Sequence, residues 1–178
     1  MALTATIFNF DVQLSDIDRG VYESLSFKVA QHPSEATDYM LSRVLAYCLA
    51  YEKGIAFGKG IGDNEPPIYA RDLSGQLKLW IEVGMPSAER LHRASKAAER
   101  VAIYTHRDPM MLLRNLEGER IHRAEFIPLF AFEKMFINSL AASIERRTAM
   151  DLSVTERKLF VNIGGESLES ELIVRSLV

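Results

Sequence analysis

One carboxylate stands out by its surroundings. Glu82 lies near the end of Leu77-Lys78-Leu79-Trp80-Ile81-Glu82-Val83, an otherwise largely apolar segment, and is followed by Gly84 and a helix start at Met85-Pro86-Ser87. Open α/β sheets receive ligands outside the carboxyl ends of their strands. A carboxylate placed there suits Mg²⁺, a hard cation that prefers oxygen ligands and keeps part of its water. The plain alternative is a polar residue on a half-exposed strand. With Ser74-Gly75 as a two-residue hairpin turn, Glu82 falls opposite Pro67. Asp72 then sits beside the turn, five residues of extended chain or roughly 16 Å from Glu82. It is a poor metal partner and a good turn residue. The four histidines, His32, His92, His106 and His122, show no ligand spacing and are expected at surface or capping positions. Cys48 falls on an apolar helical stripe and reads as a packing residue. Neither a Gly-x-Ser-x-Gly elbow nor a phosphate-loop spacing occurs.

The elements that must position these groups are legible from periodicity. Thr6, Phe8, Phe10, Val12 and Leu14 alternate with polar residues, and Leu25, Phe27 and Val29 repeat the pattern after a polar turn, which predicts an amino-terminal hairpin. His32-Pro33-Ser34-Glu35 opens a helix with Ser34 as expected N-cap and Glu35 where a carboxylate suits the positive helix end. Met40, Leu41, Val44, Leu45, Cys48 and Leu49 form its buried stripe, and the helix is expected to run to about Lys53. A short strand follows at residues 56–60. The hairpin across Ser74-Gly75, a helix bearing Leu91, Ala94 and Ala98, and a strand at residues 101–105 predict two parallel neighbours joined by a helical crossover. Beyond lie a short helix from Asp108 to Leu116, a strand at 126–129, a helix at 132–142 and a β-rich tail. Glu166, Glu169 and Glu171 on the last segment read as the guarded edge of a sheet.

Composition sets the frame. The chain has 178 residues, 48% hydrophobic and 25% charged, enough for one core and too few for two ordinary domains, so a single domain over residues 1–178 is expected. No apolar run approaches the length of a membrane span. The amino terminus carries no basic stretch followed by an apolar block, and one cysteine cannot form an internal disulfide, so a cytoplasmic location is expected. A net charge of −3 argues against wholesale coating of nucleic acid. Between Arg90 and Arg123, however, eight basic residues face four acids, and such a stretch can meet phosphates or simply be a solvated face.

Together these segments resemble the YaeQ family. The resemblance rests on His32-Pro33-Ser34-Glu35, Trp80-Ile81-Glu82-Val83-Gly84 with its proline-containing turn, Arg93-Ala94-Ser95, the strand at residues 101–105 and the amino-terminal segment from Met1 to Ile7. It runs in order to about residue 106 and is weaker beyond. YaeQ proteins look like a variant of the PD-(D/E)xK nuclease fold. The resemblance therefore implies an α/β, restriction-endonuclease-like core with a mixed sheet flanked by helices, an amino-terminal hairpin and a β-rich carboxyl-terminal extension. It implies Glu82 and Glu35 as metal ligands for Mg²⁺, and Arg93 or Lys96 in place of the motif lysine, whose position Gly84 occupies. The first motif acid is absent, since that segment reads Asn64-Glu65-Pro66-Pro67, and Met85 stands where relatives often carry glutamine. Arginine stabilises negative charge but stays protonated and cannot shuttle a proton. The expected function is a nucleic-acid-associated protein with a degenerate metal site. The alternatives are an active Mg²⁺-dependent nuclease, or a protein-interaction module that does not bind nucleic acid.

Overall fold

Alternating apolar residues make the first two strands. In the computed structural model, which describes residues 4–59 and 64–178, β1 (Thr6–Asp16) and β2 (Val21–Gln31) pair antiparallel, with Phe10, Val12, Leu14, Leu25 and Val29 buried on one face. Helix α1 (Thr37–Leu49) follows, then β3 (Ile55–Phe57), β4 (Ile68–Arg71), β5 (Leu77–Val83), α2 (Ala88–Ala97) and β6 (Arg100–Thr105). The remainder is α3 (Pro109–Leu116), β7 (Pro128–Phe132), α4 (Lys134–Ser143), β8 (Arg147–Thr155), β9 (Lys158–Ile163) and β10 (Glu166–Ser176). Gly60 of the expected third strand and Met1 to Leu3 of the amino-terminal segment lie outside the described residues.

These strands form one sheet in the order β2-β1-β8-β9-β10-β7-β6-β5-β4-β3. Strands β5, β6 and β7 run parallel, as the helical crossover predicts, while β4 and β3 extend them antiparallel. The β4–β5 register follows the predicted one at Ile68–Ile81, Tyr69–Trp80 and Ala70–Leu79, then shifts by a bulge at Arg71. The bulge corrects the two-residue turn: Asp72 accepts from the backbone N–H groups of Ser74 and Gln76 and builds a longer one.

The β-rich tail is not an extension. Residues Glu166–Glu171 of β10 pair with β9, and Leu172–Ser176 pair with β7, so β10 joins the two halves of the sheet. Its glutamates therefore do not guard an edge; the edges are β2 and β3. A sheet of this width accumulates twist and curls. Here the edges approach each other, with the Phe27 ring on β2 5.6 Å from the Phe57 ring on β3 and Tyr47 of α1 against both.

Alternate residues of the parallel strands feed two cores. Leu79, Ile81, Ala102 and Tyr104 pack with α1 and α4 inside the curl, and Val101, Ile103 and Leu129 pack with α2 and α3 outside it. The predicted stripe of α1 is buried throughout, including Cys48, whose thiol burial pushes up to about 12. Both boundaries of α1 differ from expectation. Helix α1 starts at Thr37 with Ala36 as an N-cap lacking a side-chain bond, because the Ser34 hydroxyl is engaged by the His32 ring at 2.7 Å. It ends at Leu49 rather than near Lys53, where Arg19 of the β1–β2 turn donates to the Tyr51 and Cys48 carbonyls.

The same hairpin end holds the β8–β9 turn. Glu156 and Arg157 adopt positive φ (49° and 61°), a conformation that costs a side-chain-bearing residue about 1 kcal/mol. The Asp18 carboxylate accepts from both of their N–H groups, at 2.7 and 2.9 Å, and offsets that cost.

Candidate functional site

Strand β5 carries Glu82 into a covered position. The expected half-exposed face is roofed by α2, whose Ser87 caps its start by accepting from the Arg90 N–H, and Glu82 is only 3% exposed. A buried carboxylate needs partners. Trp80, two residues back on the same face, donates its Nε1–H at 2.6 Å, and Arg90 donates Nε to both carboxylate oxygens at 2.7 Å. Trp80 is thus a core residue with a polar task. Desolvation holds Glu82 above the ordinary carboxylate range, against the hydrogen bonds from Arg90 and Trp80 and the charges of Arg90 and Arg93.

Glu35 lies in the same cleft, as the sequence reading expects. A volume of about 620 Å³ opens between the sheet edges, lined among others by Lys28, Glu35, Tyr39, Lys59, Pro67 and Glu82. Glu35 is held by its own arginine: Arg43 donates Nε to it at 2.9 Å and Nη2 to the Ala30 carbonyl at 2.9 Å. Tyr39 stands in the field of all four charges, and burial raises its phenol above the usual value. Its ring covers Gly84, where an added Cβ would meet it at 3.3 Å and the backbone φ is +88°. A lysine at 84 would therefore be strained by its backbone conformation and would have to displace the Tyr39 ring slightly.

Neither of the other predicted residues lines this cleft, although the charge of Arg93 reaches Glu82. Arg93 reaches the loop before β4, donating to Asn64 Oδ1 at 2.7 Å. Lys96 lies at the other end of α2, in a separate groove with Arg71, Lys78, Arg123, Asp72 and Glu99. Pro67 directly precedes β4 and its carbonyl accepts from Gly58 N–H, as a proline at a strand start can. Among the described residues no group of three or more His, Cys, Asp and Glu side chains is placed to hold a metal ion. Glu35 and Glu82 are each bound to an arginine, and Glu65 is the other acid lining the cleft, so the residues present do not fit Mg²⁺, which asks for several free, hard oxygen ligands.

Sequence reasoning missed Arg43 and underused Arg90. A lone charge inside Met40-Leu41-Ser42-Arg43-Val44-Leu45 signals a buried partner, and Arg90 was only one member of a basic run. His106 also departs from its expected surface role. It follows β6, its side chain is 10% exposed, its Nε2 lies 3.6 Å from Asp38 Oδ2 and its buried Nδ1 has no hydrogen-bond partner. Desolvation lowers its pKa, Arg107 adds to this and Asp38 opposes it. The unfolded chain therefore binds the imidazole proton more tightly, and stability is expected to fall as pH drops through about 6.5. Urea denaturation at stepped pH checks this. His106→Gln should flatten the slope in that window, and an unchanged slope would remove His106 as its source.

Fold and site together define a mixed α/β protein whose large, nearly closed sheet encloses α1 and α4 and holds paired acid–arginine contacts at its seam. Residues 1–172 match the family model described as YaeQ protein, and the chain belongs to the YaeQ family. It is 36% identical over 107 residues to YaeQ of Escherichia coli (strain K12) and 33% identical over 107 residues to YaeQ of Salmonella typhi. Each match covers 60% of this chain and 59% of the relative, so the matched part spans about three fifths of those proteins. The fold is similar to the crystal structure of YaeQ from Xanthomonas axonopodis pv. citri, with TM-score 0.89, 27% identity, and 97% of this chain and 99% of that one covered. For YaeQ from Pseudomonas syringae the TM-score is 0.86 at 29% identity, covering 97% and 96%. No helix among the described residues is long and apolar enough to cross a membrane.

Proposed function

We propose that this protein associates with nucleic acid through a nuclease-like scaffold whose cleft does not hydrolyse the bound strand. One observation carries the reading: Glu35 and Glu82, the acids that the family resemblance implies as metal ligands, are each paired with an arginine, Arg43 and Arg90. What the cleft then offers a ligand is Lys28 on one sheet edge and Lys59 beyond the other, both exposed, against one exposed acid, Glu65. The groove of Arg71, Lys78, Lys96 and Arg123 adds a second basic surface, with Asp72 already committed to its own turn. Lysines and arginines that replace counterions on phosphates give affinity without chemistry.

The expected result is binding of a labelled single-stranded oligonucleotide that weakens roughly 20- to 50-fold between about 50 and 200 mM salt, as three or four phosphate contacts require. Anisotropy titration measures it, and Lys28→Glu with Lys59→Glu should weaken it further. Incubation with Mg²⁺ or Mn²⁺ should leave the strand intact. The nuclease reading is favoured by Glu35 and Glu82 sharing one cleft. Metal-dependent cleavage that Glu82→Gln abolishes would establish it in place of the present one. Absence of binding at low salt would leave a protein-interaction module.

A further inference from the structure

The groove at the far end of α2 carries more than charge. It measures about 550 Å³ and is lined by Arg71, Lys78, Lys96 and Arg123 together with Asp72 and Glu99. Asp72 commits its carboxylate to the turn, accepting from the Ser74 and Gln76 N–H groups and from the Ser74 hydroxyl. The C-terminal end of α2 borders the groove through Ala97 and Ala98, and its dipole adds about half a negative charge. Four cations against two carboxylates and that half charge leave the groove net positive. Arg71 is tied to the Gly75 carbonyl and lies over the Tyr69 ring, so Lys78, Lys96 and Arg123 are the cations left to meet a ligand.

A second observation stands beside the first. Arg123 adopts φ 53°, and the Phe126 N–H donates back to its carbonyl at 3.0 Å. In that tight turn the Arg123 guanidinium lies 5.3 Å from the centre of the Phe126 ring. Phe126 is 65% exposed, so an aromatic surface is held against a groove-lining cation and keeps area for another partner. Glu125, its neighbour in the chain, is exposed but does not line the groove. Sites that hold single strands without regard to sequence combine cations along the phosphates with a ring on which a base stacks. Bases offered to such a ring come from unpaired strands, whose bases can splay out. Resting on the reading that the protein associates with nucleic acid, we infer that this groove holds a single strand, with one base stacked on Phe126 beside Arg123 and the adjoining phosphates on Lys78 and Lys96.

The test is an anisotropy titration of the whole chain with labelled oligothymidylate and oligouridylate of about twelve nucleotides, and with an abasic strand of the same length. Both base-bearing strands should bind, the tighter one telling DNA from RNA. The abasic strand should bind about tenfold more weakly, the effect of one stacked base. Phe126→Ala, at an exposed position, should weaken thymidylate binding by the same factor and leave the abasic strand unaffected. Lys96→Gln, also exposed, should weaken all three. If these effects appear while Lys28→Glu and Lys59→Glu change nothing, the groove and not the cleft holds the strand. Equal affinity for thymidylate and abasic strands, or full affinity in Phe126→Ala, would overturn the assignment and leave association to the cleft lysines. Absence of binding by every strand at low salt would overturn this inference and the nucleic-acid reading together.

Discussion

Replacing Arg90 by methionine is expected to remove about 3 kcal/mol of folding stability, because it leaves the Glu82 carboxylate buried with Trp80 as its remaining side-chain donor. The loss falls at the lower end for a broken buried pair, since Arg90 is 18% exposed and water can enter beside it. Glu82→Gln should cost only about 1 kcal/mol, because the amide oxygen still accepts from Trp80 and Arg90. Replacing both partners, Glu82→Leu with Arg90→Met, should recover most of the loss, as a buried pair exchanged for apolar groups usually does. Urea denaturation of the three variants decides the matter. A loss below about 0.5 kcal/mol in Arg90→Met would mean that the pair does not hold the cleft together.

Phe57→Ala is expected to cost about 2 kcal/mol, less than a fully buried phenylalanine because the ring is half-buried. Its effect should be local. Phe57 packs on Phe27 and Tyr47 where the sheet edges meet, so removing it should speed amide exchange in β2 and β3 while β8, β9 and β10 keep their protection. Uniform acceleration across the sheet would show that the two edges are not an independent unit.

The elements were legible where one physical rule acted alone. Period-two burial gave the β1–β2 hairpin, the α1 stripe gave its buried face, and turn residues with strand alternation gave the β4–β5 register as far as Ala70. Legibility failed where a distant partner decided the outcome. The glutamates of β10 read as edge protection because no local signal says that β7 and β9 take its two sides. Glu82 and Glu35 were legible as cleft acids, but Arg43 and Arg90, each eight residues further on, were not seen as their partners. That pairing also limits repair of the motif. An acid introduced at Pro67 would face a carboxylate that Arg90 already holds.

Strand β10 has a consequence for how the molecule is made. The amino-terminal hairpin leaves the ribosome first, yet β1 finds its parallel neighbour only when β8 emerges, and the two half-sheets join only once residues 166–176 are free. Until then β9 and β7 each present an unpaired edge, the kind of surface that recruits other chains. Synthesis therefore holds the nascent protein open for most of its length and closes it late, with a single strand acting as the fastener. A truncation that removes β10 would release two half-sheets with no hydrogen-bonded strand between them.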